Sequence, residues 1–342
     1  MPTRSAALLL KIAAVAAVLA TTPGAAQVTA PGTDWPKIVA AARKEGQVML
    51  YSLQSPGSVD RVVSGFRKAY PEIAVQYLRT TTGRMSGRLD RERAAANGDG
   101  ADVWINSEPA WLKERSKEGQ LLKLVGPAAG AWPAQGMSAS GDFVMGGLEL
   151  QAFAYNKQLL ERPPRSFAEL VRPEYVGMIG APDPFGGTVA AWYDWLEKSL
   201  GPDYLLQLKA QKPKFYNNQT AMMEALASGE IALAAFSSAS QVKPLVVQGA
   251  PLEFVIPEPT AGVPLYVAAM GWSKKPNAAQ VLADFFLSRE GQVAWHGTGD
   301  SASPLPGIPG AVEQGNAAVL DASAYSRAAL GANRERWNKL FR

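Results

Sequence analysis

The pattern that most restricts this chain is a short apolar strand running straight into a hydroxyl-rich turn and then a helix. Its clearest instance is Gly229 to Ser240. Gly229 suits the left-handed position that ends a helix. Ile231 to Phe236 is an unbroken apolar run, as expected of a strand covered on both faces. Ser237, Ser238 and Ser240 follow it, where the amino end of the next helix leaves backbone N–H groups free. In open α/β sheets this junction is where ligands bind. It is equally the place of an ordinary serine helix cap.

The pattern recurs along the chain. Val48 to Tyr51 reads as a buried strand followed by Ser52, Gln54 and Ser55. The next helix carries Val59, Val62, Val63, Phe66 and Tyr70 at helical spacing. Ile73 to Leu78 leads to Thr80, Thr81, Thr82, Gly83 and Arg84. Ala101 to Ile105 leads to Asn106 and Ser107, and Lys214 to Tyr216 leads to Asn217 and Asn218. Met178 to Gly180 leads to a loop stiffened by Pro182 and Pro184, then to Gly186, Gly187 and Thr188. The helix after that loop bears Trp192, Tyr193 and Trp195. Strand alternating with helix predicts an α/β fold with mostly parallel sheets flanked by helices. Phe143 to Tyr155 and Glu258 to Val267 read as long extended segments. Ala317 to Phe341 reads as helical.

At 342 residues the chain is long enough for about two domains. It has no cysteine and a single histidine, His296, which removes thiolate chemistry and a multi-histidine zinc centre within one chain. Arg4, the apolar run Ile12 to Ala20 and the small residues Pro23 to Ala26 predict a secretory signal over residues 1–26. The expected location is therefore the periplasm. No basic cluster interleaved with aromatics points to nucleic acid.

An enzyme is not expected. A serine triad would need His296, and no nucleophile-elbow sequence accompanies it; a surface or capping role is expected for it instead. No phosphate-binding loop or dinucleotide fingerprint is present. Glu149 is expected in a solvated or capping role. What remains is a set of loops of neutral hydrogen-bonding residues with Arg84 as the main charge. Several helix amino ends converging on one crevice favour an anionic or strongly polar ligand.

In order along the chain, Val48-Met49-Leu50-Tyr51-Ser52, Ala101-Asp102-Val103-Trp104-Ile105, Ala154-Tyr155-Asn156, Pro164 to Leu170, Pro173 to Gly177, Ser228-Gly229-Glu230, Gly249-Ala250-Pro251 and Ala283 to Phe286 with Glu290-Gly291-Gln292 resemble the periplasmic solute-binding proteins of ABC importers, in the group that includes ferric-ion-binding proteins. The resemblance covers about residues 33–300. It implies a type II two-lobed fold with crossing strands: lobe 1 over 27–145 and 264–300, lobe 2 over 146–263, and 301–342 packing on the lobes. It implies no cofactor. Its partners would be a small-molecule solute and a membrane ABC permease, and the working unit a monomer. Ferric-binding relatives place two adjacent tyrosines where this chain has Ser238-Ala239-Ser240, so ligands for bare iron are missing. The expected ligand is a small organic anion bearing phosphate, phosphonate or carboxylate. The alternatives are ferric uptake through an exogenous chelating anion, or a secreted hydrolase. The candidate contacts are Tyr51, Ser52, Gln54, Thr82, Gly83, Arg84, Asn106, Ser107, Gly186, Gly187, Thr188, Trp192, Ser237, Ser238, Ser240 and Tyr266, with Trp192 or Tyr51 covering an apolar part. No residue is assigned to a metal.

Overall fold

The computed structural model describes residues 34–79, 82–95, 100–183, 186–325 and 327–341. The expected signal segment 1–26 lies outside them. No helix among the described residues is long and apolar enough to cross a membrane.

The chain opens with α1 (Trp35–Glu45), β1 (Gln47–Ser52), α2 (Pro56–Ala69), β2 (Ala74–Arg79), α3 (Thr82–Ala95), β3 (Val103–Asn106), α4 (Pro109–Lys117) and the single turn α5 (Pro127–Gly130). β1 pairs in parallel with both β2 and β3. The alternation predicted from the sequence is thus present, and both faces of this sheet are covered. Val48, Leu50, Val103 and Ile105 join a core with Val59, Val62 and Phe66 of α2. Tyr51 and Trp104 lie in a second cluster with Met85, Leu89, Trp111 and Leu112. Each such side chain removed from water stabilises the fold by roughly 1.5–3 kcal/mol before entropy is counted.

β4 (Phe143–Leu150) then carries the chain out, and β5 (Ala152–Asn156) opens the second sheet. That sheet continues with β6 (Ile179–Pro182), α6 (Gly187–Leu200), α7 (Tyr204–Ala210), β7 (Lys214–Tyr216), α8 (Gln219–Ser228), β8 (Leu233–Ser237), α9 (Ala239–Val247) and β9 (Leu252–Val255). Its strand order is β7-β6-β8-β5-β9. Gly229 ends α8 at φ 81°, the left-handed position its residue type suggests.

The chain returns through β10 (Ala261–Ala269), α10 (Pro276–Leu287) and α11 (Arg289–His296), and closes with β11 (Ala318–Val319) and α12 (Arg327–Phe341). β10 lies antiparallel to both β3 and β4, in the first sheet. The change of sheet therefore falls at Gln151 and at residues 256–260, a few residues from the divisions at 145/146 and 263/264. The two crossings are tied together: the Gln151 N–H donates to the Ala261 carbonyl (2.8 Å), and the Thr260 hydroxyl to the Gln151 carbonyl (2.8 Å). The C-terminal segment is a short strand, a 3-10 turn and a helix rather than one helix from Ala317. α12 packs on the second lobe, with Trp337 against Tyr193 at 5.0 Å between ring centres and Phe341 against Phe215 at 5.1 Å.

Candidate functional site at the crossings

Strand direction places the site. β3 pairs with β10 from Val103 opposite Ala269 to Asn106 opposite Tyr266, so β3 runs toward the start of β10, where the chain crosses. β8 pairs with β5 from Leu233 opposite Tyr155 to Ser237 opposite Ala152, so β8 also runs toward the crossing. β1 is parallel to β3, and β6 to β8. The carboxyl ends of the parallel strands in both lobes therefore face the crossings from opposite sides. The polar turns that follow these strands in sequence are brought to one region.

In lobe 1 the sharpest feature is Asn106. It is fully buried (0% exposed). Its Oδ1 accepts from the Glu108 N–H at 2.9 Å, which fixes the amide orientation and leaves Nδ2 as the remaining donor. Nδ2 has no acceptor among the described residues. An unpaired buried donor costs about 1–3 kcal/mol, so its natural partner is an oxygen from a ligand. Tyr266 lies opposite Asn106 and is half-exposed; burial first, and Asp321 second, hold its hydroxyl protonated, with a pKa of about 12. Ser107 is buried beside them.

Two lobe 1 expectations are corrected, Tyr51 and Gln54. Tyr51 does not face the crossing: it packs under α3, and its hydroxyl donates to Glu92 at 2.6 Å. Burial, then that carboxylate, push its pKa to about 12. Gln54 turns inward, its Oε1 accepting from the Trp295 indole at 3.2 Å. The Ser52 hydroxyl accepts from the Gln54 N–H at 3.0 Å and so shapes the turn. Thr82, Gly83 and Arg84 form the first turn of α3, and their side chains lie outside the description.

In lobe 2, Ser238 and Ser240 meet an acid. The Ser238 hydroxyl donates to Glu149 Oε1 at 2.8 Å, Ser240 donates to the same oxygen, and the two hydroxyls are 3.0 Å apart. Ser238 is the N-cap residue of α9 yet makes no side-chain cap bond to its own helix, because its hydroxyl is turned to Glu149. Glu149, expected in a solvated or capping role, is half-buried and holds the two hydroxyls at the amino end of α9. Desolvation pushes its pKa up, and the two hydroxyls pull it back. Ser237 is corrected from a ligand contact to a core residue, its hydroxyl donating to Met223 Sδ at 3.6 Å.

Gly186 is the exposed N-cap of α6. Gly187, however, lies under the chain's own C-terminal segment: a side chain there would meet Tyr325 Cβ at 3.4 Å and Ala322 Cβ at 3.8 Å. Tyr325 donates its hydroxyl to Asp194 of α6. The α6 amino end is therefore covered beside Thr188, which is half-buried. Trp192 is also corrected. It is fully buried, with ring centres of Phe236, Tyr193 and Phe167 at 5.0, 4.8 and 6.1 Å. It is a lobe 2 core residue, not a ligand cover. A groove of about 630 Å³ between α2 and α11, lined by Asp60, Arg61, Ser64, Lys68, Glu290 and Val293, includes none of the expected contacts.

His296, expected in a surface or capping role, is buried where α11 rests on β4. Nε2 donates to the Gly146 carbonyl at 3.1 Å, and Nδ1 accepts from the Ser301 hydroxyl at 2.6 Å. Gly147 makes this approach possible, since a Cβ there would lie 2.5 Å from the ring. The imidazole is a structural group with both nitrogens used.

The family model for bacterial extracellular solute-binding proteins matches residues 17–293. Among curated protein sequences no relative matches. The fold is similar to the substrate-binding protein of an ABC transporter from Agrobacterium tumefaciens, at 19% identity and TM-score 0.74 over 86% of this chain and 94% of that one. It is similar to AfuA from Actinobacillus pleuropneumoniae with fructose-6-phosphate bound (20% identity, TM-score 0.66, 86% and 97% covered). It is also similar to iron-bound HitA from Pseudomonas aeruginosa (20% identity, TM-score 0.63, 86% and 98% covered). These neighbours bear out the two-lobed type II fold.

Proposed function

The chain belongs to the bacterial extracellular solute-binding protein family, and we propose that its crossing region binds a small organic anion bearing phosphate, phosphonate or carboxylate. The coarser role follows from the family: the chain is the solute-binding component of an ABC importer, works outside the cytoplasm with a membrane permease, and is not an enzyme. In this reading the working unit is a monomer, exported through a cleaved leader at residues 1–26.

The observation that carries the anion is the buried Asn106 Nδ2 without an acceptor. A donor fixed by its own Oδ1 contact is suited to a ligand oxygen. Ser107, Tyr266 and the exposed Gly186 are further candidate contacts, as are Thr82 to Arg84 at the amino end of α3. The similarity to a fold that holds a sugar phosphate, AfuA, supports the same class. Ser238, Ala239 and Ser240 supply no phenolate for bare iron.

Two measurements test this. Phosphorylated and carboxylated solutes are expected to raise the melting temperature through ligand linkage. A panel in which polyamines or metal cations raise it and no anion does would remove the anion reading. A pink colour formed only with iron and citrate together would replace it with chelate uptake. Asn106→Asp keeps the oxygen that the Glu108 N–H needs and exchanges the donor for a second acceptor. It is expected to weaken anion binding by roughly a hundredfold, from a lost charge-assisted bond plus repulsion, as read by calorimetry. An unchanged affinity would take Asn106 out of the site.

A further inference from the structure

We infer that Glu149 recognises a basic nitrogen of the solute, so that the ligand is an amino- or guanidino-bearing anion rather than a simple anion. This rests on the anion reading above and adds the group at the solute's other end.

Glu149 lies on β4 opposite Val263, two residues before the chain crosses at Gln151. Its protein contacts are uneven. Ser238 and Ser240 of lobe 2 both donate to Oε1, and both are neutral. None of the ion pairs among the described residues includes Glu149. The charge nearest to it in effect is Asp300, of the same sign and itself paired with Arg61. Glu149 is half-buried and meets only hydroxyl donors, so a cation beside it would supply the missing countercharge.

A second, independent acceptor stands beside it. Gln151 is 2% exposed. Its Nε2 donates to the Glu149 carbonyl at 3.3 Å, so its amide nitrogen is committed. Its Oε1 is buried and has no donor among the described residues. A carboxylate and an amide carbonyl two residues apart both call for N–H groups. An ammonium or guanidinium offers several N–H donors and no acceptor, and can meet both. The two serine hydroxyls account for Oε1 of Glu149. They account neither for the missing countercharge nor for the free oxygen of Gln151.

Asn106 and Glu149 then divide the work by sign. The Nδ2 donor on lobe 1 takes the solute's oxygen, and the two acceptors at the crossing take its nitrogen. Because Ser238 and Ser240 belong to lobe 2 and Glu149 to a lobe 1 strand, a cation held there bears on both lobes at once.

The test uses matched solutes on the full chain, by thermal shift and calorimetry: 3-aminopropyl phosphate against propyl phosphate, and 5-aminopentanoate against pentanoate. The amino member of at least one pair is expected to bind about tenfold or more tightly than its partner. Glu149→Gln keeps an oxygen for the two serines. It is expected to abolish that preference, so that the amino and amine-free members of the pair bind alike. Equal or better binding of the amine-free members in the wild type overturns this inference and leaves the anion reading standing. So does a preference that survives in Glu149→Gln. Binding of none of the four, or of 1,3-diaminopropane alone, overturns the anion reading and this inference with it. The wild-type comparison reads the outcome even if the variant folds poorly.

Discussion

Replacing Trp192 with alanine is expected to destabilise the protein by about 3–5 kcal/mol, as read by urea denaturation monitored through the far-ultraviolet dichroism. The indole is 0% exposed and contacts Phe167, Tyr193 and Phe236 through tilted and edge-on rings. Removing it deletes the area buried by the largest fully buried side chain of α6 and leaves a cavity that these rings close only in part. Tyr193 in turn leans on Trp337 and Phe341 of α12, so the loss spreads to the C-terminal helix. Trp192→Phe keeps most of the volume and is expected to cost less than half as much. Solute affinity measured well below the melting temperature is expected to change by less than about threefold, because the side chain lies in the core and not at the strand ends. A large loss of affinity with unchanged stability would put Trp192 back in the site.

Trp192 also shows where the sequence was readable and where it was not. The loop before it, Gly186 to Thr188, does reach the amino end of a helix. The ring's direction is a separate question, settled by rotation about the helix axis. Val189, Trp192, Tyr193 and Leu196 stand at i, i+3, i+4 and i+7, which is a core stripe. The same spacing correctly identified Val59, Val62, Val63 and Phe66 in α2. Tyr51 carries a similar signal: in a strand covered on both faces, side chains pointing either way are buried. The polar turns were legible because strand-to-helix junctions call for short hydrogen-bonding residues. Their partners were not legible. Glu149 and Ser238 are 89 residues apart in sequence and meet only because β4 and β8 end at the same crossing. Likewise the cover over Gly187 comes from Ala322 and Tyr325, in a segment that reads from the sequence as one helix.

Between pH 4 and 6.5 the opposing contributions of His296 and Asp284 are expected to leave the wild type less pH-sensitive than either of two variants, which tilt in opposite directions. His296 is buried neutral, and desolvation lowers its pKa to about 4 from an ordinary value of 6.5. The unfolded chain takes up that proton first, so the contribution of His296 is full above pH 6.5 and is lost as pH falls toward 4. Over that window it amounts to about 3 kcal/mol. Asp284 acts the other way. Burial raises its pKa from 3.8 to about 6, against the bond its Oδ1 accepts from the Ala129 N–H at 2.9 Å. The native state holds that proton longer, so the contribution of Asp284 is full below pH 3.8 and is lost as pH rises through 6, again by about 3 kcal/mol. Glu149 and Asp102, both raised chiefly by burial, add to this second direction. Asp284→Asn leaves His296 as the largest opposing group and is expected to make the protein markedly more acid-sensitive between pH 6.5 and 4. His296→Gln keeps hydrogen-bonding atoms near Gly146 and Ser301 and removes the acid-side loss, so its stability is expected to fall as pH rises from 4 to 6. Denaturant midpoints at half-unit steps of pH read both slopes. Parallel profiles for the two variants would mean that neither buried group sets the acid limb.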